Sequence, residues 1–295
     1  MAPHLAHVDE WVGEDVSLRE VERALCQLRE SSAHETEGPD LRTSVLTHIA
    51  WVPADWQEAA LGTLSGLAER HPSRSILLFP DPEAEDGLDA KAVVLAFPLA
   101  GSQRHVAAEV IELRLRGKKA EVPGSLVAPL LVSDLPVFVR WRGRPPFGAP
   151  ELEQLVALAD RLVVDSVEWA DLPSAYRELA GLFDRIAVSD LAWRRTLPWR
   201  RGLAGAWPRV GDLRELRVVG PAAEAYLVVG WLRSRLGRPV ELTHEDGAHQ
   251  IELVAVDGEE VPARAEPQTP SDLLSDDLDQ LARDPVYEGA VHAAV

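Results

Sequence analysis

The spacing of hydrophobic positions changes along the chain, from a helical period near the N-terminus to short apolar runs beyond residue 42. In residues 16–30 apolar side chains recur at helical spacing, which predicts an amphipathic helix. Residues 31–40 are polar and acidic and contain Gly38-Pro39, which is typical of a linker. We therefore interpret residues 1–41 as a helical arm followed by an acidic linker.

From residue 42 to residue 166, short β-branched and apolar runs alternate with helical patterns. This alternation predicts an N-terminal α/β domain whose mixed sheet carries helices on its faces. The predicted strands are 42–52, 73–81, 93–97, 106–115, 135–141 and 159–166. The predicted helices are 53–69, 122–131 and 151–159.

Residues 167–295 predict a second domain of the α+β kind, so that the whole chain is a two-domain α/β protein. Asp246-Gly247 and Asp257-Gly258 are good hairpin signals, and they predict an antiparallel meander of three short strands. The predicted strands are 213–219, 239–244, 249–256 and 259–264. The predicted helices are 173–186, 190–207, 221–236 and 271–283, with Gly237 as a C-cap.

Charge is distributed unevenly, and this narrows the classes of partner. The formal net charge is -18, of which residues 1–40 carry -7 and residues 241–295 carry -12. The remaining middle of the chain is close to neutral, which argues against nucleic-acid binding. No apolar run is long enough for a membrane span and no signal peptide is visible, so we expect a cytoplasmic protein without a membrane partner.

Signatures of catalysis and of metal or cofactor binding are missing from the sequence. There is no Gly-rich phosphate loop, no nucleophile elbow and no zinc-protease motif, and we predict no cofactor and no metal. His244, Glu245, Asp246 and His249 cluster at a predicted turn, where polar residues are ordinary. Asp160 and Asp165 bracket a strand on opposite faces, and capping of the strand ends is the simpler explanation.

Tryptophan and arginine are concentrated between Asp190 and Trp207, in the sequence DLAWRRTLPWRRGLAGAW. These side chains are the ones most enriched at interface hot spots, although each tryptophan can equally pack in the core. The spacings of six and eight residues place the three tryptophans at different angles on a helix, so they do not share one narrow stripe. Pro198 should also end or kink a helix near Leu197. The candidate partner-binding residues here are Trp193, Arg194, Arg195, Trp199 and Arg200.

Two loops supply weaker candidates. Trp141 and Arg142 belong to the basic, rigid loop RWRGRPP at 140–146 and are added to the partner-binding set. The junction RHPSR at 70–74 joins a helix end to a strand start, and Arg70, Ser73 and Arg74 are candidates for binding an anion. Capping of the preceding helix by Arg70 and His71 is the alternative explanation.

Five sequence blocks occur in a fixed order along the chain. The blocks are RTSVLTHIAWV at 42–52, ERHPSRSILLFPDP at 69–82, SLVAPLLVSDLPVFVRWRGRPP at 125–146, ADRLVVDS at 159–166 and SDLAWRRTLPWR at 189–200. Together they resemble the OpcA family of glucose-6-phosphate dehydrogenase assembly proteins, closely from about residue 42 to residue 207 and more loosely elsewhere.

The resemblance implies a protein that is not an enzyme, binds glucose-6-phosphate dehydrogenase, and helps its assembly or activates it in the oxidative pentose phosphate pathway, which supplies NADPH. A sensor of a phosphorylated metabolite at the HPSR loop and a cryptic enzyme acting on a sugar phosphate remain alternatives. Redox control is not carried over, because Cys26 is the only cysteine, and we expect it to pack within its helix. The sequence leaves the oligomeric state open.

Overall fold

The structure is a computed structural model that describes residues 7–35, 44–70, 73–98, 105–263 and 269–295. The chain divides into two compact units, Met1–Leu162 and Val163–Val295. The predicted α/β class is confirmed, since strands and helices alternate along the chain and form a large mixed sheet and a second, smaller sheet. The domain boundary predicted at residue 166 stays a prediction, while the compact units divide between Leu162 and Val163.

The strands of the first unit form a mixed sheet. They are β1 (His7–Gly13), β2 (Thr47–Trp51), β3 (Arg74–Asp81), β4 (Gly87–Pro98), β5 (His105–Arg116) and β6 (Val137–Trp141). Their order is β1-β4-β5-β3-β2-β6. β2 is parallel to β3 and β6, and β3 is parallel to β5, whereas β4 is antiparallel to β1 and β5. β1 was not predicted, because the adjacent charges of Asp9 and Glu10 hide its alternation.

The helices of the first unit are α1 (Leu18–Glu35), α2 (Gln57–Arg70), α3 (Pro123–Val127) and α4 (Pro150–Val156), and they lie where the apolar periodicity predicts them. The last three are shorter than predicted, whereas α1 continues to Glu35, into the segment predicted as a linker. A 3-10 turn at Ala54–Trp56 follows Pro53 and leads into α2. A second 3-10 turn, Ala128–Leu130, follows α3, so the helix predicted over 122–131 is formed in two pieces.

The first helix belongs to the body of this unit, which corrects its interpretation as an arm. Val21, Ala24 and Leu25 are buried, and α1 contacts β1 and β4. Three apolar side chains on one helical face remove enough surface from water to hold the helix on the sheet. The expectation that Cys26 packs within this helix is also wrong, because its side chain is exposed.

The core of the first unit follows from the strand register. Ile49 pairs with Ile76 and Val139, and Ile76 pairs with Ile111, so that four fully buried residues form one row across the sheet. His48 is buried beside this row. Burial, together with the nearby charge of Arg140, lowers the pKa of His48 to about 4, so this histidine is neutral at physiological pH.

The second unit combines helices with a small sheet of its own. Strand β7 (Arg161–Val164) lies across the division between the units. The helices are α5 (Leu172–Ala180), α6 (Leu191–Arg195), α7 (Leu197–Gly205), α8 (Ala222–Leu236), α9 (Pro270–Leu278) and α10 (Pro285–Ala294). The remaining strands are β8 (Ala187–Asp190), β9 (Glu215–Val219), β10 (Glu241–Glu245), β11 (Leu253–Val256) and β12 (Glu259–Glu260).

The small sheet is not the antiparallel meander that the two Asp-Gly pairs predicted. Its order is β10-β9-β11-β12, and β10 is parallel to β9. The reason is α8, which joins β9 to β10 and returns the chain to the starting edge, as a parallel crossover requires. Only Asp257-Gly258 forms a hairpin, between β11 and β12, and both residues have positive φ angles of 48° and 88°.

The C-terminal region contains two helices where one was predicted. α9 ends at Leu278 rather than at 283, and Leu281 is exposed. α10 was not predicted. Asp284 caps it by accepting hydrogen bonds from the amides of Val286 and Tyr287, at 3.0 and 3.1 Å, and Pro285 opens its first turn. α10 then packs against α8 and α5.

Candidate functional site

The segment rich in tryptophan and arginine folds as two short helices. Asp190 caps α6 by accepting from the Ala192 amide at 2.9 Å, and α6 ends at Arg195. Pro198 lies in the first turn of α7, where its missing N–H costs no hydrogen bond. The prediction that Pro198 divides the segment is therefore confirmed, and the residue between the two helices is Thr196.

Trp193 lies in the core of the second unit. Its side chain is 4% exposed, and its Nε1 donates to Oδ2 of Asp284 at 2.9 Å. The Tyr287 ring lies 5.8 Å away, and the guanidinium carbon of Arg200 lies 3.4 Å from the indole centroid. A buried indole with a satisfied N–H stabilises the fold. The free chain does not present Trp193 to a partner.

Arg200 clamps the junction between α6 and α7. Its Nε donates to the hydroxyl of Thr196 at 3.0 Å, and its Nη2 donates to the carbonyl of Trp193 at 3.2 Å. Burial lowers the pKa of Arg200 to about 10, although Asp284 opposes this effect, so the side chain stays charged at neutral pH. Stacking on Trp193 adds a cation–π contact.

Arg194 and Arg195 are also engaged within the chain. Arg194 pairs through Nε with Asp277 at 3.0 Å, and that carboxylate is fully buried. Arg195 pairs with Glu224 on α8 at 2.7 Å and with both carboxylate oxygens of Asp165. Burial is the largest single effect and lowers the pKa of Arg195, but the charges and hydrogen bonds of Asp165 and Glu224 together outweigh burial and raise the pKa. These arginines hold α6 in place.

A buried polar cluster surrounds Arg194 and Arg195, and the sequence analysis did not predict this cluster. One oxygen of Asp190 accepts from the amide of Ser166 at 3.0 Å, and the other accepts from the hydroxyl of Tyr287 at 3.4 Å. Burial, with the charge of Asp165, raises the pKa of Asp190 to about 7. The hydroxyl of Tyr176 lies 2.9 Å from that of Ser166. Only the approach of distant segments brings these groups together.

The two remaining tryptophans of the segment lie in different surroundings. Trp199 is partly buried and packs against the apolar cluster that includes Leu203 and Val210. Trp207 is 66% exposed, just beyond the end of α7 at Gly205. Trp207 is absent from the predicted contact set, although it belongs to the same segment. The sequence signal that could have identified it is Pro208, because a proline commonly lies just beyond the end of a helix.

The loop candidates of the first unit are less accessible than expected. Trp141 is 2% exposed and stacks on Trp51, with centroids 4.9 Å apart and planes inclined by 16°. The guanidinium of Arg142 lies 5.3 Å from the Trp56 ring, and its amide donates to the carbonyl of Trp51 at 3.0 Å. Trp141 is therefore a core residue, and Arg142 lies against an aromatic neighbour of the same unit.

The structure describes the side chains of two of the three anion candidates, Ser73 and Arg74. Ser73 is buried, and the side chain of Arg70 lies outside the described part of the structure. Arg74 donates from Nε to Glu109 at 2.7 Å and from Nη1 to the carbonyl of Leu130 at 2.6 Å. Glu109 also accepts from Arg29. Burial on its own raises the pKa of Glu109, but the two arginines outweigh it and the pKa is lowered.

The acidic residues considered for metal or paired-carboxylate chemistry have ordinary partners. His244 Nε2 lies 2.8 Å from the carbonyl of Gly220, and Glu245 pairs with Arg217 at 2.7 Å. Asp160 accepts from the amide of Val137 at 2.8 Å, which is a strand-end contact. Across the described ranges, no group of three or more His, Cys, Asp or Glu side chains is placed to hold a metal ion.

Comparison with protein families matches both halves of the chain. Residues 65–181 match the family described as the N-terminal domain of a glucose-6-phosphate dehydrogenase subunit. Residues 186–291 match the family described as the C-terminal domain of that subunit. Both are the OpcA domains, in their natural order, and together they cover most of the sequence.

The chain belongs to the OpcA family. The tryptophan- and arginine-rich segment, with α6, α7 and Trp207, lies within the C-terminal OpcA domain. The paired Arg74 and Glu109 lie within the N-terminal OpcA domain.

Two curated relatives are named OxPP cycle protein OpcA. The one from Nostoc punctiforme is 31% identical over 199 residues, which cover 63% of this chain and 42% of the relative. The one from Synechocystis is 27% identical over 209 residues, which cover 65% of this chain and 43% of the relative. The match thus spans less than half the length of either OpcA relative.

In the part of the chain that the structure describes, no helix is both long enough and apolar enough to cross a membrane.

Proposed function

We propose that this chain is an assembly factor or allosteric activator, not an enzyme, that binds glucose-6-phosphate dehydrogenase and favours its active oligomer. The support is membership of the OpcA family, whose two domain descriptions name a subunit of that dehydrogenase. The names of the relatives link them to the oxidative pentose phosphate cycle. A cytoplasmic location is part of this proposal, as is the supply of NADPH through the pathway.

The mechanism is a shift of population between oligomeric states of the dehydrogenase. A protein that binds one state better than another shifts the equilibrium by its differential affinity and by no more. A tenfold shift requires about 1.4 kcal/mol, and truncation of one well-packed aromatic anchor commonly costs about 2 kcal/mol or more. A single contact of good quality is therefore enough.

We place the contact with the dehydrogenase at Trp207 because its side chain is exposed. A large aromatic side chain that is 66% exposed leaves apolar area to be covered, and tryptophan is the residue most enriched at hot spots. Arg201 and Ala204, on the preceding helix, and Pro208 are exposed as well. We take Trp207 as the anchor and Arg201 as a polar contact at its rim.

The residues predicted from sequence then take a supporting role in this proposal. Trp193 and Arg200 stack on each other, and Arg200 ties Thr196 to the carbonyl of Trp193. Trp199 packs α7 on the core. A surface held in this way loses little conformational entropy when it binds, which leaves more of the contact energy for affinity.

The proposal is tested with the purified dehydrogenase and the full chain. We expect this chain to co-sediment with the dehydrogenase and to raise its activity at saturation. We expect Trp207→Ala to weaken binding by about tenfold or more, because the anchor is removed. Analytical ultracentrifugation gives the affinity, and a steady-state assay gives the activation.

Two comparisons make this test decisive. Val12→Ala, which truncates an apolar side chain that is 65% exposed on β1, should leave binding unchanged. Thermal unfolding of Trp207→Ala should match the original chain, since an exposed ring stabilises the fold little. If saturating amounts of the chain leave both sedimentation and activity of the dehydrogenase unchanged, the proposed function is wrong. An equal loss of binding in Trp207→Ala and in Val12→Ala would show that the contact is not at Trp207.

A sensor of a phosphorylated metabolite is the second candidate function. It is favoured by one observation, the two largely buried arginines, Arg29 and Arg74, that pair with Glu109.

A further inference from the structure

Arg29 and Arg74 come together at a cavity that the sequence did not predict. The cavity is about 220 Å³ and is lined by Glu22, Leu25, Arg29, Arg74 and Leu130. Its residues come from α1, from β3 and from the 3-10 turn after α3. Strand register puts Arg74 opposite Glu109, on the same face of the sheet.

The two arginines keep unused donors at this cavity. Arg29 reaches Glu109 through Nε, and Arg74 reaches the other carboxylate oxygen through its own Nε. A guanidinium carries five N–H groups in a planar fork. Arg74 uses one more for the carbonyl of Leu130, and among the described residues no further acceptor contacts either fork. Several N–H groups therefore remain for an anion.

The local charge favours an anion. Arg29, Glu109 and Arg74 together carry a net positive charge, and all three side chains are largely buried, where screening is weak. Glu22 is also acidic, but its side chain is exposed and its charge is screened by solvent. Phosphate and carboxylate groups are the anions that arginine forks bind best.

The other residues that line the cavity indicate which further groups the ligand contains. Leu25 and Leu130 are buried and give two apolar walls that suit a short carbon chain. The carboxylate of Glu22 is an acceptor at the rim, which can receive a hydrogen bond from a hydroxyl group. A small organic anion with at least one hydroxyl group matches all of these features.

We propose that this cavity binds a small hydroxylated phosphate or carboxylate, with its anionic group on Arg29 and Arg74 and a hydroxyl on Glu22. The site replaces the anion site predicted at the RHPSR junction, keeping Arg74 and adding a residue from α1. It is independent of the dehydrogenase, because binding is measured on this chain alone.

The test is isothermal titration calorimetry of the full chain with three probes, inorganic phosphate, glycerol 3-phosphate and glycerate. We expect saturable binding of at least one hydroxylated probe, tighter than that of inorganic phosphate. The two hydroxylated probes distinguish a preference for phosphate from a preference for carboxylate. Arg29→Ala should weaken this binding by about tenfold or more, as expected for a lost charge-assisted hydrogen bond.

Two further variants provide a control and a test of the hydroxyl contact. Arg19→Ala removes an exposed arginine of the same helix and should leave the affinity unchanged. Glu22→Ala removes the carboxylate acceptor of an exposed side chain, and it should reduce the preference for the hydroxylated probe over inorganic phosphate. Absence of binding for all three probes, equal affinity in Arg29→Ala, or an unaltered preference in Glu22→Ala would each overturn the proposal.

Discussion

The buried carboxyl of Asp190 shows how much a single residue depends on contacts that are distant in sequence. Sequence reasoning placed Asp190 at the start of a segment rich in tryptophan and arginine. It could not show that Ser166 and Tyr287 would meet the carboxyl, because those residues are 24 and 97 positions away. The same limit explains Trp193 and Trp141, whose types suit both a core and an interface, and whose burial is decided by tertiary packing.

Asp190 makes the stability of the chain depend on pH in a specific direction. Burial raises its pKa to about 7 from the ordinary value of 3.8, so the folded chain holds a proton that the unfolded chain releases. The free energy of unfolding therefore falls as pH rises from about 4 to about 7, and this group adds no further change above that. In Asp190→Asn this contribution is absent, and the fall should be smaller by up to about 4 kcal/mol.

Urea unfolding at a series of pH values measures this difference. Asn keeps an oxygen that can accept from the amides of Ser166 and Ala192, so the helix cap is preserved. Asp246→Asn is the matched control, since that carboxylate is 99% exposed, and its pH dependence should follow the original chain. Parallel curves for the original chain and Asp190→Asn would contradict the expected titration.

Elements were predicted best where a local signal defined their ends. Pro198 and Gly237 marked real helix boundaries, and Asp257-Gly258 marked a real hairpin. Elements were missed or misassigned where a distant partner decides them. β1 becomes a strand only by pairing with β4, and β10 is parallel to β9 because α8 intervenes. Asp246-Gly247 has the composition of a hairpin turn, but the strands that flank it are not neighbours.

Gly237 allows a direct test of a helix end. It follows α8 with a φ of 64°, in the left-handed region, and its amide donates to the carbonyl of Arg233 at 2.9 Å. Gly237→Ala should lower the free energy of unfolding by about 1 kcal/mol, because a Cβ is strained in this conformation. No atom lies near the position of the added methyl group, so the loss reports the backbone alone.

Gly205 serves as the control for this substitution. It lies in α7 without a positive φ, and it too has open space at the position of a Cβ. Gly205→Ala should leave stability unchanged or raise it slightly, because alanine restricts the unfolded chain. Thermal denaturation of both variants should give shifts of different sign or size, and equal destabilisation would contradict the backbone explanation.

For the whole molecule, composition and order of elements gave the class of fold, while the contacts that build each unit came only from the structure. Five ordered sequence blocks indicated the OpcA family, and two family domains support it over most of the chain. The prediction of the partner-binding surface differs most from the structure. Its predicted tryptophans are largely buried, and the exposed one, Trp207, had been left out of the predicted set.

The net charge of -18 predicts a response of the whole molecule to salt. Like charges repel more strongly in the compact state than in the unfolded chain, and added salt screens this repulsion. The unfolding temperature should therefore rise by a few degrees between about 10 mM and about 150 mM sodium chloride, as followed by circular dichroism. Sucrose of matched osmolality separates screening from solvent exclusion. A fall in temperature would mean that the surface ion pairs outweigh the repulsion.

The exposure of Trp207 also has a spectroscopic consequence. An indole in water fluoresces at longer wavelength than one in an apolar core, and dissolved quenchers such as iodide reach it freely. Trp193 and Trp141, which are buried, are shielded from such quenchers. The chain thus carries a natural optical reporter at the surface where we place its partner, and covering of that surface would appear as a blue shift and a loss of quenching.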